Sequence, residues 1–249
     1  MAHGRFRCAY PCSQASRSAT FLTGARPDSR SAATALPIGV LISGQGTNLR
    51  AILSRCDSGQ LDAAVRVVIS NRAAAPGLEY SRSRGIPTFV IARADYASRA
   101  AQQRAMQERL KAHGVDLVVL AGFDQILGRE FVAEPSYRIV NLHPSLLPAF
   151  GGGMHAVRDA LAHGVKVTGC TVHFVVPDDF EADCGPIILQ RAVEVLDDDT
   201  EETLAARVHD VEHEILPEAI QLCAEGRLTV EGRRVRIAAK SYAITTGGN

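Results

Sequence analysis

Along most of the chain, short apolar runs alternate with longer segments in which apolar residues recur at the spacing of one helix face. Residues 38–43 form an apolar run that closes on a glycine turn, and Leu49, Ile52 and Leu53 follow with the spacing of one helix face. The strand predicted at residues 116–121, DLVVLA, is continuously apolar after Asp116, so it must be covered on both faces of a sheet. Repeated strand and helix segments predict an α/β fold, a doubly wound, mainly parallel sheet with helices on both faces.

The same patterns predict the remaining elements. Further strands are expected at residues 64–70, 88–91, 138–142, 169–175 and 187–195. Helices are expected at residues 77–84, 96–113, 130–133, 154–163 and 200–226. A terminal hairpin is predicted at residues 228–237, with Glu231 and Gly232 at its turn.

The first 36 residues have a different composition from the rest of the chain. They are rich in Ser, Ala and Arg, contain one acidic residue, Asp28, and show no sustained apolar period. We therefore predict a disordered N-terminal extension at residues 1–36, one domain at 37–237 and a C-terminal tail at 238–249. The extension also has the Arg-rich, acid-poor composition of an organellar transit peptide, although Pro11, Gly24 and Pro27 disfavour an amphipathic helix. An extension without function is the alternative.

Composition narrows the classes of ligand. The 27 basic and 27 acidic residues give no net field toward nucleic acid or an anionic membrane, so we expect a small-molecule ligand. No apolar run reaches the length of a membrane span. The six cysteines are scattered without the spacing of a zinc site or a disulfide framework. A cytoplasmic location is therefore expected, or an organellar one if the extension is a transit peptide.

The predicted strand at 138–142 leads into the most informative polar residues. Side chains alternate along a strand, so Asn141 and His143 point to the same side. Pro144 disfavours continuation of the strand and leaves His143 at its carboxyl edge. Ligands bind at that edge in open α/β sheets. The alternative is a buried, hydrogen-bonded histidine at a strand boundary without a functional role.

The glycine turn after the first strand is a candidate phosphate site. Gly44 and Gly46 permit a tight turn, and the amides of Gly46, Thr47 and Asn48 at a helix start can bind an anion. The turn lacks the lysine of a P-loop and the third glycine of the dinucleotide fingerprint. A helix N-cap at Thr47 or Asn48 is the alternative.

An acidic loop separates the two strands predicted at 169–175 and 187–195. Asp178, Asp179, Glu181 and Asp183 lie in it, and one carboxylate could hold a neighbouring imidazole protonated or orient a water. A solvated loop is the alternative. The spacing matches no calcium loop, and no metal is predicted.

Seven segments together resemble the phosphoribosylglycinamide formyltransferase family, over residues 37–237. They are SGQGTNL (43–49), SRA (98–100), VLAGF (119–123), NLHPSLLP (141–148), GCTVHFV (169–175), DCGPIILQ (183–190) and VEHEILPEAI (211–220). The resemblance implies a Rossmann-like formyltransferase fold. It also implies transfer of a formyl group from 10-formyltetrahydrofolate, the co-substrate, to the amine of glycinamide ribonucleotide in purine biosynthesis, without a metal.

The resemblance also implies roles for individual residues. The ribonucleotide would be bound through its phosphate and its ribose or amine region by Gly46, Thr47, Asn48, His209, Asp210, Val211 and Glu212. The folate would be contacted by Arg99, Asp124, Gln125, Ile126, Leu127 and Asn141. Asn141, His143 and Asp183 would form a catalytic trio.

The chemistry of formyl transfer requires the residue types of this trio. Attack of the amine on the formyl carbon creates an oxyanion, which Asn141 and a protonated His143 can stabilise as donors. Asp183 would favour the protonated ring by its charge and help to move a proton from the attacking nitrogen to the folate nitrogen.

The sequence departs from the family pattern near these residues. One residue is added in the glycine-rich turn at 150–153, and about three are inserted between His173 and Asp183. If the inserted loop is aligned differently, Asp179 replaces Asp183 as the candidate carboxylate. At Asp124 and Gln125 the family more often has an apolar and then a basic residue.

Two alternative functions are kept open. A 10-formyltetrahydrofolate hydrolase would use the same trio, and an impaired relative would bind ligands without turnover. Neither a nucleic acid nor a membrane is expected as a partner, and a homodimer is compatible with the sequence.

Overall fold

The computed structural model describes residues 35–177 and 183–240. Within these residues nine strands form one sheet. They are β1 Leu36–Ile42, β2 Ala63–Ser70, β3 Thr88–Val90, β4 Leu117–Leu120, β5 Arg138–His143, β6 Val167–Phe174, β7 Ile187–Glu194, β8 Leu228–Glu231 and β9 Arg234–Ile237. The helices are α1 Thr47–Asp57, α2 Pro76–Ser83, α3 Arg99–Ala112, α4 Arg129–Val132, α5 Ala156–His163 and α6 Glu201–Ala224.

The strand order is β3-β2-β1-β4-β5-β6-β7-β9-β8. Strands β1 to β5 pair in parallel, so their carboxyl ends lie at one edge of the sheet. The chain runs from β1 through β2 to β3, and then returns to place β4 on the other side of β1. This reversal makes the carboxyl ends of β1 and β4 the topological switch point, where ligands bind in such folds.

Helices cover both faces of the sheet, as the sequence predicts. Alternate residues of β1 point to opposite faces: Val40 and Ile42 join the core beneath α1, α2 and α6, whereas Leu41 joins the core beneath α3 and α4. The continuously apolar β4 is buried along its whole length. The predicted doubly wound, mainly parallel sheet is therefore confirmed.

The second half of the sheet adds antiparallel strands. Strand β6 runs antiparallel to β5, and β7 runs antiparallel to β6. The predicted terminal hairpin is confirmed as the antiparallel pair β8 and β9. Apolar runs are compatible with either pairing direction, so the sequence did not distinguish these strands from the parallel ones.

Several predicted boundaries are wrong by one to three residues. Strand β1 begins at Leu36, the last residue assigned to the extension, because its backbone N–H donates to Asp62 and it pairs with Ala63. Helix α3 begins three residues late because Ser98 caps it, its hydroxyl accepting from the N–H of Ala101 at 3.1 Å. Predictions for residues 1–34, 178–182 and 241–249 lie outside the described residues. None of the helices in the described ranges is long and apolar enough to cross a membrane.

Gly169 in β6 provides a test of the packing that supports the site. A Cβ atom there would lie well inside contact distance of the Arg191 carbonyl oxygen in β7, and 3.0 Å from a methyl of Leu146. Backbone atoms cannot rotate away, so we expect Gly169→Ala to lower the free energy of unfolding by about 2–3 kcal/mol in chemical denaturation. Gly44→Ala is the control, because a Cβ atom there enters open space. Equal stability of the two variants would contradict this packing.

Candidate active site

The end of β5 places Asn141 and His143 at the carboxyl edge of the sheet, as predicted. The buried His143 ring has an oxygen partner at each nitrogen. Its Nε2 lies 2.9 Å from the carbonyl oxygen of Phe150, and its Nδ1 lies 3.2 Å from Oδ2 of Asp183. Both partners are acceptors, so a doubly protonated ring satisfies both contacts.

The carboxylate of Asp183 meets three different segments of the chain. Its Oδ1 accepts from Nδ2 of Asn141 at 3.0 Å, and its Oδ2 accepts from the N–H of Gly152 at 2.9 Å. Burial alone would raise the pKa of Asp183, but interactions with His173, His143 and the Gly152 N–H lower it below the ordinary value. The structure therefore brings the predicted trio together, with Asp183 as an ionised carboxylate.

His173 also belongs to this cluster, although the sequence did not indicate it as a site residue. This buried residue of β6 pairs directly with Asn141 of β5, and its Nε2 lies 3.2 Å from Nδ2 of Asn141 and 3.6 Å from Oδ1 of Asp183. Its Nδ1 lies 3.0 Å from the carbonyl oxygen of Phe174. The signal was its place in the GCTVHFV segment, but only the register between β5 and β6 puts it opposite Asn141.

The amide of Asn141 is already engaged within the protein. Its Nδ2 faces both Asp183 and His173. Donation to an oxyanion would therefore require that one of these two contacts is exchanged for the substrate. The catalytic roles of the trio stay predictions, although the residues lie in contact.

The glycine of the DCGP segment explains how Asp183 reaches the sheet. A Cβ atom at Gly185 would lie well inside contact distance of the Phe174 carbonyl oxygen and 3.3 Å from Nδ1 of His173. Only a residue without a side chain allows this approach to the end of β6. The alternative carboxylate, Asp179, lies outside the described residues.

The glycine-rich turn at residues 150–153 contacts two members of the trio. The carbonyl oxygen of Phe150 accepts from His143, and the N–H of Gly152 donates to Asp183. Gly152 has a φ of 75°, which glycine adopts without strain, whereas Phe150 has a φ of 55°, a conformation that is uncommon for a residue with a side chain. The added residue in this turn therefore does not separate Asp183 from His143.

The start of α1 forms the second part of the site. Gly46 is its N-cap with φ of 72°, and no side chain caps the helix, so the alternative of a cap at Thr47 or Asn48 is wrong. A Cβ atom at Gly46 would lie 2.9 Å from Cα of Gly77, so this turn packs closely against the start of α2. Within the described residues, the first backbone N–H groups of α1 have no side-chain acceptor, which suits an anion.

A buried carboxylate lies against this helix start. Nδ2 of Asn48 donates to Oε2 of Glu212 at 3.0 Å, and Glu212 in α6 is only 4% exposed. Burial raises the pKa of Glu212, although the Asn48 hydrogen bond and the charge of His209 oppose the shift. Oδ1 of Asn48 is buried without a partner among the described residues. His209 and Asp210 are exposed on the same helix, with Val211 half-buried.

Four of the predicted folate residues, at positions 124–127, form a loop after β4 that is held by α3, whereas Arg99 lies in α3 and Asn141 in β5. Arg99 and Gln103 both donate to the carbonyl oxygen of Ile126, Gln103 at 3.1 Å. Gln102 donates to the side chain of Gln125 at 3.2 Å. Ile126 and its neighbour Leu127 follow Asp124 in this loop, and the Ile126 side chain is 66% exposed. Arg99 thus contacts the loop, and its contact with folate stays a prediction.

Asn141, His143 and Asp183 therefore lie together at the carboxyl edge of an α/β sheet, and similarity to known proteins identifies the class to which the chain belongs. The sequence pattern of the formyl transferase family matches residues 37–220, so the chain belongs to the formyl transferase family.

Individual relatives show which members of the family the chain is similar to. The chain is 44% identical to the phosphoribosylglycinamide formyltransferase of Escherichia coli over 189 residues, which are 76% of this chain and 87% of that protein. It is 47% identical over 198 residues to the bovine trifunctional purine biosynthetic protein adenosine-3, covering 79% of this chain but only 19% of that protein. The chain therefore spans about a fifth of the length of this trifunctional relative.

Solved structures show the same likeness. The crystal structure of glycinamide ribonucleotide transformylase 1 from Symbiobacterium toebii is 54% identical, with a TM-score of 0.78, and the match covers 82% of this chain and 95% of that one. A phosphoribosylglycinamide formyltransferase from Anaplasma phagocytophilum is 40% identical, with a TM-score of 0.75, covering 83% and 95%.

The buried Glu212 predicts a pH-dependent stability. The pKa of Glu212 is higher in the folded protein than in the unfolded chain, where it is about 4.3. The free energy of unfolding therefore falls as the pH rises from about 4.3 through the folded-state pKa. Glu212→Gln keeps an acceptor for Asn48 and removes the buried charge. We therefore expect the free energy of unfolding, relative to wild type, to rise for this variant as the pH increases toward neutrality. Glu214→Gln, an exposed position of α6, controls for net charge, and parallel pH profiles for wild type and Glu212→Gln would contradict the expectation.

Proposed function

We propose that this chain transfers a formyl group from 10-formyltetrahydrofolate to the amine of 5'-phosphoribosylglycinamide, a step of purine biosynthesis. The observation that carries the proposal is the cluster of Asn141, His143 and Asp183 at the end of β5 in a member of the formyl transferase family. The activities for which the E. coli and Symbiobacterium relatives are named support the choice of substrates.

The ribonucleotide binds at the start of α1. Its phosphate accepts from the backbone amides of Gly46, Thr47 and Asn48, aided by the helix dipole. Glu212 lies directly against Asn48 and contacts the ribose or amine region. A carboxylate that is buried before the substrate arrives is well suited to a polar partner, because its second oxygen can then gain a donor.

The folate binds against the loop that begins at Asp124. Backbone groups of residues 124–127 line the pterin pocket, and Arg99 orders that loop through the carbonyl oxygen of Ile126. The exposed Ile126 side chain offers apolar surface at the same place. The folate is consumed as a co-substrate, and the chemistry proceeds without a metal.

Formyl transfer then needs one bond to form and one to break. The ribonucleotide amine attacks the formyl carbon, and the oxyanion accepts from Nε2 of His143 and from the Asn141 amide. The formyl oxygen replaces the carbonyl oxygen of Phe150 at Nε2. Collapse of the intermediate breaks the bond to the folate nitrogen, and a proton moves to that nitrogen from the attacking amine with the help of Asp183.

The direct test is formyl transfer by the purified protein, followed by folate absorbance. We expect consumption of 10-formyltetrahydrofolate that requires the ribonucleotide and yields a formylated product. Equal consumption without the ribonucleotide would indicate the hydrolase instead. Folded protein that binds both compounds without turnover, as judged by thermal shift, would indicate an impaired relative.

Removing one donor of the trio should reduce chemistry more than binding. We expect His143→Ala and Asn141→Ala each to lower kcat at least about a hundredfold, because the loss of one oxyanion donor costs about 3–4 kcal/mol in the transition state. His113→Ala is the matched control, since this histidine follows the last residue of α3 and its ring packs against Phe89 of the outermost strand, β3. Near-normal kcat in either trio variant would remove its proposed role.

A further inference from the structure

A third carboxylate with little exposure lies at the switch point between β1 and β4. The Asp124 side chain is 17% exposed, and its Oδ1 lies 2.7 Å from Nδ2 of Asn71 and 2.8 Å from Oγ of Ser43. Its Oδ2 accepts from the guanidinium of Arg72. These partners follow the carboxyl ends of β1 and β2, which are neighbours in the sheet order β2-β1-β4.

The same residues connect the two loops that the proposed function assigns to different substrates. Ser43 immediately precedes Gly44 of the phosphate turn, and Asp124 opens the folate loop at 124–127. The backbone N–H of Asp124 donates to Oγ of Ser43 at 3.0 Å, and the N–H of Ser43 donates to the carbonyl oxygen of Gly122 at 3.0 Å. The Ser43 hydroxyl is therefore bonded to both the backbone and the side chain of Asp124.

The partners of Asp124 hold its side chain as an ionised carboxylate. Burial alone would raise the pKa of Asp124, but the hydrogen bonds from Asn71 and Ser43 and the charge of Arg72 lower it. The Ser43 hydroxyl has one proton and two nearby acceptors, Oδ1 of Asn71 at 2.7 Å and Oδ1 of Asp124. Hydrogen bonds to an ionised carboxylate are stronger than those between neutral groups.

We propose that Asp124 is a positioning residue that holds the folate loop against the phosphate turn and thereby sets the distance between the formyl donor and the amine acceptor. The inference rests on the proposed function. The Asp124 side chain acts through Ser43 and through the backbone of residues 124–127, and its carboxylate does not contact the reacting atoms. Two-substrate reactions depend on such positioning, because reacting atoms must approach to about 3–3.5 Å and a shift of about 1 Å is costly.

The test compares Asp124→Leu with a matched variant elsewhere. Glu134 is also a little-exposed carboxylate, 13% for its side chain, paired with Lys111 and with Ser136, but it lies before β5 at the opposite edge of the sheet. We expect Asp124→Leu to raise KM for both substrates and to lower kcat/KM about a hundredfold. Glu134→Leu should keep kcat/KM near the wild-type value, even where its melting temperature falls by as much as that of Asp124→Leu.

Ser43→Ala keeps the inference testable if Asp124→Leu does not fold. It removes only the shared hydroxyl, and we expect it to raise both KM values about tenfold. Because Ser43 and Asp124 act through one contact, the double variant should be no more impaired than the worse single variant. Asp124→Asn, which keeps Oδ1 and loses only the exposed Arg72 pair, should recover most of the activity.

The outcomes separate this inference from the proposed function. Suppose that the wild type shows ribonucleotide-dependent turnover. Unchanged KM values in folded Asp124→Leu or in Ser43→Ala then overturn the positioning role and leave the proposed function standing. If the wild type binds both compounds without turnover, binding calorimetry tests the positioning role instead. Asp124→Leu or Ser43→Ala must then weaken the affinities for both compounds, and unchanged affinities overturn the role. A wild type that neither reacts with nor binds either compound removes both proposals.

Discussion

The carboxylate of Asp183 is the group on which the candidate active site depends. A buried negative charge is stable only when hydrogen-bond donors and positive charge surround it. Asn141 and the Gly152 N–H supply the donors, and the rings of His143 and His173 lie beside it at 3.2 and 3.6 Å. These partners belong to β5, β6 and the glycine-rich turn. Satisfying one carboxylate therefore orients the amide and the imidazole to which we assign the proposed chemistry.

The parallel and antiparallel halves of the mixed sheet position different residues of the candidate site. The parallel strands β1, β4 and β5 open at one edge and deliver the phosphate turn, the folate loop and the first two members of the trio. The antiparallel strands β6 and β7 flank the DCGP segment and bring Asp183 to the same edge. The antiparallel half thus positions the carboxylate of Asp183, whereas the parallel half carries the two loops to which we assign substrate binding.

Glycine residues are placed where backbone segments approach too closely for a side chain. Gly46 packs against Gly77 at the start of α1, and Gly185 packs against the carbonyl of Phe174. Positive φ at Gly152 turns its N–H toward Asp183. Each of these glycines costs conformational entropy on folding, and the close approach that it permits offsets that cost through hydrogen bonds or packing.

The sequence by itself determined the elements, the fold class and half of the site. Alternation along 138–142 was enough to place Asn141 and His143 on one side, and the glycine turn marked the start of α1, because these signals depend only on neighbouring residues. The tertiary structure decided which strands pair antiparallel, that His173 lies opposite Asn141, and that Phe150 reaches His143. It also decided the contact of Asp124 with Ser43, which is 81 residues away in the chain. Strand order and register follow from how the buried faces pack over the whole sheet, and no local pattern contains that information.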